Sequence, residues 1–455
     1  MIIKNFIILS TASIREALIQ IENNHKGFIL VADDKGVILG IATDGDIRRK
    51  LFEDVTLQDS VLNCINRSFI WASIDTPREV ILKQLDHKIR AIPVLDNEKR
   101  LVAILTPEDL PEISEVKTFS RAKAPVRISF GGGGSDISTY FTEYGGAVIN
   151  STISLYSHAT LNVRDDEKIY VSSLDLQENV EFKDLYEFLA YTGNFSLVKN
   201  IIKAIKPSFG FELFLQSDFP MNSGLGGSSA VSAAILGCFN ELRRDKWNLH
   251  ELAEIAFQAE RIHMGVAGGW QDQYATTFGG FNFIEFNHKQ NIVQPMRIPK
   301  NVILELEESL ILCYTGMNHD SGNIHQDQEK QTKNKVVKSL IQSNVDLTYH
   351  IRNLLLRGNL KDFGLCLDKA WQLKRNFSNK ISNPSLNEIY NGALQNGATG
   401  GKLLGAGGGG YFLFYVPFFS RNKLMDWIKE KGLSFIPFRF EESGLQSWTV
   451  REKNK

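Results

Sequence analysis

Short apolar runs separated by polar turns fill the first quarter of the chain, and they come in two copies. Residues 28–49 read FILVADDKGVILGIATDGDIRR, and residues 91–110 read AIPVLDNEKRLVAILTPEDL. Each copy has an apolar run, a polar turn (Asp33-Asp34-Lys35-Gly36; Asp96-Asn97-Glu98-Lys99) and a second apolar run, which predicts a β-hairpin. Each closes on T-x-x-D, Thr43 with Asp46 and Thr106 with Asp109, where the threonine hydroxyl can cap a following helix. Apolar residues at helical spacing precede each hairpin: Ile14, Leu18 and Ile21, then Val80, Ile81 and Leu85. Residues 111–120, PEISEVKTFS, are polar, start with proline and read as a linker.

Beyond the linker, strand patterns run into glycine clusters. Val126, Ile128 and Phe130 alternate with Arg127 and Ser129, then Gly131, Gly132, Gly133 and Gly134 precede Ser135 and Asp136. Phe211, Leu213 and Leu215 also alternate, and Pro220 introduces Asn222, Ser223, Gly224, Leu225, Gly226, Gly227, Ser228 and Ser229. Residues 230–242, rich in small apolar side chains, predict a helix after that loop. A third cluster spans Gly405 to Gly410, including Gly407, Gly408 and Gly409. Its G-x-G-x-x-G spacing matches the dinucleotide fingerprint in form, but residues 411–416, YFLFYV, read as a strand where that fold requires a helix. Asn248 and Glu251 form a capping-box start. Leu252, Ile255, Ala256, Ala259 and Ile262 then share one helix face, with Glu260 on its margin, Glu254 and Arg261 toward solvent, and Gly265 at the end. Gly268, Gly269 and Trp270 place Asp272 in a tight turn.

At 455 residues the chain is long enough for about three domains. Its 51 Lys and Arg against 52 Asp and Glu give a net charge of −1, so no general attraction to nucleic acid or a membrane surface is expected. No apolar run reaches the roughly 18 residues that span a bilayer, and no signal peptide is expected at the start. The four cysteines, Cys64, Cys238, Cys313 and Cys366, are spaced as buried thiols of a reducing cytosol, and a cytoplasmic location is expected. His319 and His325 lack helical ligand spacing and read as loop histidines.

The chemistry lies in the glycine clusters. A strand, a glycine loop and a helix start aim free N–H groups and a positive helix end at one place, which suits a polyphosphate. No lysine follows the loop, so it is not a P-loop. A buried-margin carboxylate such as Glu260, near phosphate, calls for a cation. Asp136 suits sugar hydroxyls, and the bare N–H groups of the Gly131–Gly134 loop suit hydroxyls or a distal phosphate.

The front repeat resembles a tandem pair of CBS motifs, βαββα modules. That resemblance implies an adenine nucleotide held with the help of Thr43, Asp46, Thr106 and Asp109, and a homodimer. Both T-x-x-D motifs could equally serve only as helix caps. From 121 onward the chain resembles the GHMP kinases. Lys123-Ala124-Pro125-Val126-Arg127, the stretch from Pro220 to Ala230 and Gly405 to Gly410 occur in that family's order. The GGGSD loop and AERIHMGVAGGWQDQYATTFGGFNF bring the likeness nearest to heptose 7-phosphate kinases. The loop departs from the family pattern at Gly227, where Ser is usual.

The resemblance implies an α+β chain. A CBS pair (1–115) would precede a two-lobed kinase with an ATP-binding lobe (116–305) and a ferredoxin-like α+β lobe (306–455). It implies ATP bound by Pro220, Asn222, Ser223, Gly224, Leu225, Gly226, Gly227, Ser228 and Ser229. It implies Mg²⁺ held by Glu260 with Ser228 or Ser229, and Asp272 as base beside Arg127. The substrate would lie on Gly131 to Asp136 and on Gly407, Gly408 and Gly409. The expected reaction is phosphorylation of the anomeric hydroxyl of a heptose 7-phosphate. A kinase of a free hexose such as fucose or galactose, and a catalytically inactive nucleotide sensor, are the alternatives.

Overall fold

Two copies of one small motif make up the first compact unit of the chain, Met1–Val116; the second is Lys117–Lys455. The computed structural model describes residues 3–76, 78–85, 89, 91–106, 116–317 and 321–453. In the first copy, β1 (Ile7–Leu9) and α1 (Ile14–Asn24) precede the hairpin β2 (Phe28–Ala32) and β3 (Ile38–Thr43), and α2 (Asp44–Leu51) comes after it. β1 pairs parallel to β2, and β2 antiparallel to β3. The second copy repeats this order. β4 (Ala72–Ser73) lies parallel to β5 (Ile92–Leu95), which pairs antiparallel with β6 (Leu101–Leu105), and α3 (Arg78–Gln84) precedes that hairpin.

Helix starts in the first copy follow their caps. Ser13 and Glu16 form a capping box on α1, and Ile14, Ala17 and Ile21 are buried. Thr43 and Asp46 form another on α2. The Asp46 carboxylate accepts from the Thr43 backbone N–H at 3.0 Å and from its hydroxyl at 2.6 Å, and it also pairs with Arg49. This carboxylate is therefore used by the cap. Thr106 is buried, and Asp109 lies outside the described residues.

The second unit opens on β7 (Val116–Gly131), so residues 116–120, expected in a linker, are already strand; residues 111–115 lie outside the described residues. Next come α4 (Ser138–Tyr144), β8 (Gly146–Val163), β9 (Ile169–Ser173), β10 (Glu178–Phe182), α5 (Leu185–Ala190), α6 (Ser196–Ile205) and β11 (Phe211–Ser217). The chain continues through α7 (Gly227–Glu241), α8 (Leu249–Phe257), α9 (Gln271–Phe278), β12 (Phe281–Phe286) and β13 (Asn291–Pro295). The strands form one sheet in the order β10-β9-β11-β8-β12-β13, and β7 pairs with β8 and with β18 (Gln446–Lys453). α7 lies across β8, and its residues from Ala233 to Phe239 are almost wholly buried.

The rest of this unit is α10 (Lys300–Ser309), β14 (Leu310–Tyr314), α11 (Ser321–Gln331), α12 (Lys335–Arg357), α13 (Leu360–Lys374), α14 (Pro384–Gln395), β15 (Gly400–Leu403), β16 (Tyr411–Tyr415), α15 (Phe418–Glu430) and β17 (Ser434–Ile436). Its four strands pair antiparallel in the order β15-β16-β14-β17. α13 packs along β15, and Trp371 is wholly buried there against Phe412 and Tyr390. The glycines before Tyr411 lead into a strand, which excludes the dinucleotide fold as the sequence predicts.

Two local expectations change. Arg127 and Ser129 are as buried as Val126, Ile128 and Phe130, because β7 is covered on both faces. The helix after Asn248 does not stay α-helical: Gln258–His263 is a π-turn. Its i→i+5 bonding places an extra residue in the turn and rotates the downstream residues out of α-helical phase. Ile262, expected in the core, is 67% exposed, and the Arg261 side chain, expected in solvent, is 12% exposed.

Candidate active site

Arg127 is the point where the glycine clusters meet. Its backbone N–H donates to Leu225 O at 2.9 Å, tying β7 to the glycine loop. Its guanidinium donates to Gly224 O at 2.7 Å and to Asp272 Oδ1 at 2.6 and 2.7 Å. Asp272 stands in the first turn of α9 rather than in the tight turn expected from Gly268 and Gly269; Trp270 holds the N-cap position without a side-chain cap bond. The loop itself needs glycine at position 226. Its φ is +79°, and a Cβ there would lie 3.4 Å from Asp272 Oδ2.

Beside this pair is a cleft of about 700 Å³. Pro220, Asn222, Ser223, Gly224, Gly226, Gly227 and Ser228 line it, at the start of α7. Leu225 and Ser229, expected in the same role, are fully buried and lie behind the wall. Leu176, Val198, Leu215, Phe219 and Val231 also line the cleft, an apolar wall of the kind a planar base would need. The Glu260 carboxylate is 2% exposed and collects hydroxyls: Ser228 at 2.8 Å, Ser229 at 3.4 Å and Ser232 at 3.1 Å.

A second, enclosed cavity of about 20 Å³ shares a wall with the cleft. Arg127, Arg261, Asp272, His325 and Gly405 line both. Asp136 lies in the enclosed one, 3% exposed, and accepts from Gly134 N at 3.0 Å and from Gln271 N and Nε2 at 3.2 Å. Burial, and then the charge of Asp272, raise its pKa above the usual carboxylate range.

The sequence expectation for substrate contacts divides. Gly133, Gly134 and Asp136 line the enclosed cavity. Ser135 does not: its hydroxyl donates to Gly132 O and Ala147 O and accepts from Ala147 N, so its capacity is spent on the backbone. Gly131 and Gly132 pack on Thr348 and Ala147. Gly407 and Gly409 pack on Ile381 and Met317, and Gly408 N donates to Ile381 O. From the third cluster, Gly405 and Ala406 reach the cleft instead.

Sequence reasoning missed the two lysines of this region. Lys374 and Lys402 are 6% and 2% exposed and both line the enclosed cavity. Lys374 continues the buried stripe Phe363, Leu367, Ala370 and Trp371 on α13, a readable signal, since a lysine on such a stripe needs a reason. His325 reads as a loop residue in the sequence but sits on α11. Burial, then Arg261 and Lys374, push its imidazole down to about 3. His319 lies outside the described residues.

A glycine loop at a helix start, opening on a buried arginine–aspartate pair, belongs to a nucleotide-dependent phosphotransferase. Comparison with known proteins agrees. The sequence matches the GHMP kinases N terminal domain over residues 196–280, the GHMP kinases C terminal domain over residues 351–417, and the CBS domain over residues 1–53 and 61–113. A D-glycero-alpha-D-manno-heptose 7-phosphate kinase from Campylobacter jejuni is 34% identical over 336 residues, 72% of this chain and 99% of the relative. The crystal structure of a D-glycero-D-manno-heptose 1-phosphate kinase from Bacteroides thetaiotaomicron aligns with a TM-score of 0.61 at 27% identity, covering 73% of this chain and 99% of that one. An L-fucokinase/L-fucose-1-P guanylyltransferase from Bacteroides fragilis is 25% identical over 323 residues, 64% of this chain and 34% of its own length. The chain belongs to the GHMP kinases, with a CBS pair ahead of the kinase part, and it is an ATP-dependent kinase.

Proposed function

We propose that this kinase phosphorylates the anomeric hydroxyl of a heptose 7-phosphate, in the synthesis of nucleotide-sugar precursors. One observation carries the reading: Asp272 and Arg127 line both the nucleotide cleft and the enclosed polar cavity, so a hydroxyl held in one faces a phosphate held in the other. The acceptor oxygen attacks the γ-phosphorus as the bond to the β,γ-bridging oxygen breaks. Asp272 accepts the hydroxyl proton, and ADP leaves with the bridging oxygen. Arg127 orients the carboxylate. The loop N–H groups at Ser223 to Ser228 hold the phosphates, and Asp136 holds sugar hydroxyls. At its present volume the enclosed cavity admits about one water, so acceptor binding requires its lining to open.

The kinase fold implies Mg²⁺, and the donor set at Glu260 suits it, since carboxylate and hydroxyl oxygens are the ligands a hard cation takes. Glu260 and Ser228 would hold it. Ser228 is favoured over Ser229 because it is nearer Glu260 and faces the cleft. When bound, the ion neutralises charge on the β- and γ-phosphates. The division into 1–115, 116–305 and 306–455, adenine-nucleotide binding by the CBS pair, a homodimer and a cytoplasmic location belong to the same reading. The testing experiment is ADP release over a panel of sugars and sugar phosphates, with and without Asp272→Ala. Turnover on heptose 7-phosphate that the substitution removes supports the reading. Turnover on free fucose or galactose alone would replace the substrate, and no acceptor-dependent turnover at all would favour a sensor.

A further inference from the structure

Lys374 and Lys402 are the buried lysines that the phosphoryl-transfer scheme leaves without a task. Of the four cations around the enclosed cavity, Arg127 is held by Asp272, and Arg261 lies 4.0 Å from Glu260. The two lysines have carbonyl partners instead: Lys374 Nζ donates to Gly405 O, and Lys402 Nζ donates to Ser129 O at 2.7 Å. Among the described residues neither forms an ion pair, although both are more than nine-tenths buried. Asp136 and Asp272 share the cavity, but neither forms an ion pair with the lysines; a buried ammonium so weakly compensated is costly, and an anion brought in by a ligand lowers that cost.

Two further facts give the direction. Arg127 and Arg261 line both cavities, whereas Lys374 and Lys402 line the enclosed one and not the nucleotide cleft. Around the same cavity, Gln271 Oε1, Arg261 Nε and His325 Nδ1 have no hydrogen-bond partner among the described residues. These are unused groups on residues that line a site for a polar ligand. Lys374 Nζ lies 3.7 Å from where a Gly133 side chain would begin, so the acceptor loop is open toward it.

We infer that Lys374 and Lys402 receive the phosphate group that the acceptor already carries, and so make this kinase select phosphorylated over unphosphorylated sugars. The inference rests on the sugar-phosphate reading above. The same oxyanion chemistry could come from the γ-phosphoryl group of ATP, and the test separates the two.

The experiment compares kcat/KM for heptose 7-phosphate and for the unphosphorylated heptose, in the full chain and in Lys402→Met and Lys374→Gln. A charge-assisted hydrogen bond lost from each variant should lower the ratio of the two constants by ~10- to 100-fold. An equal loss on both acceptors would overturn the inference and assign the lysines to the transferred group. A wild-type enzyme that prefers the unphosphorylated sugar would instead overturn the sugar-phosphate reading itself. Should either variant fail to fold, inorganic phosphate on the wild type decides. Inhibition competitive with the sugar phosphate and not with ATP is expected; competition with ATP alone would overturn the inference.

Discussion

Asp272 and Lys374 are the residues on which the chemistry can be tested one at a time. Replacing Asp272 by Ala removes the acceptor of the hydroxyl proton and should lower kcat by ~10²- to 10⁴-fold, while ATP still protects the protein against thermal unfolding. Loss of ATP binding together with kcat would make Asp272 a structural partner of Arg127 instead. Lys374 has its pKa pulled down to about 8 by burial and then by Arg127, with Asp136 and Asp272 opposing. The other basic groups around its cavity are Arg261, Lys402 and His325, whose imidazole is neutral in this pH range. The phosphate-binding form is the ammonium. KM for the sugar phosphate should therefore rise as pH climbs through about 8, and far less for the unphosphorylated sugar. A KM for the sugar phosphate that is flat from pH 7 to 9 would contradict this role. Glu260, held by three serine hydroxyls, gives a third test. Glu260→Gln keeps the hydrogen-bonding shape but halves the ligand character, and the half-saturating Mg²⁺ concentration should rise about tenfold or more. These roles were unequally legible. Arg127, Glu260 and Asp272 sit in motifs with a recognisable order, whereas Lys374 offers only the signal of a lysine on an apolar helix stripe and Lys402 sits in an unremarkable context. Only the tertiary fold turns both lysines into one cavity.

At the scale of elements, the chain's periodicity announced the hairpins, the glycine-loop helix α7 and the strand after the third glycine cluster. Alternation failed at β7, because a strand covered on both faces by protein does not keep polar residues for solvent, and its Arg127 and Ser129 are polar for the site's sake. The 3.6-residue period failed after Phe257, because a π-turn changes the phase of the helix and brings Arg261 inward. Glycine-rich sequence also could not say which glycines face a ligand. Gly133, Gly134 and Gly226 line the cavities where one would bind, while Gly131, Gly132 and Gly407 let backbones pack closely. The distinction is testable in the loop before α7. Gly226→Ala puts a Cβ at φ +79° and 3.4 Å from Asp272, a left-handed position costing roughly 1–2 kcal/mol. KM for ATP should rise and kcat should fall together, since the substitution disturbs both the loop and the carboxylate. A variant kinetically equal to wild type would mean the loop has more freedom than its geometry implies.

For the whole molecule, two compact units carry two kinds of nucleotide motif, and the ATP cleft accounts for only one. In the CBS unit the Asp46 carboxylate is engaged by Thr43 and Arg49, so ribose recognition there would compete with the helix cap or with the Arg49 pair. With AMP added to the full chain at saturating ATP, a regulatory CBS pair should change the initial rate by about twofold or more, through a difference in its affinity for two states. A rate constant up to millimolar AMP would remove regulation from the account. The central claim is narrower and lies in the kinase part. Its most direct measurement is ADP release by the full chain with ATP, Mg²⁺ and heptose 7-phosphate, set beside the Asp272→Ala variant. The account predicts turnover that depends on the sugar phosphate and falls by ~10²- to 10⁴-fold in the variant. Equal ADP release by the two proteins, with the sugar phosphate present or absent, would contradict it.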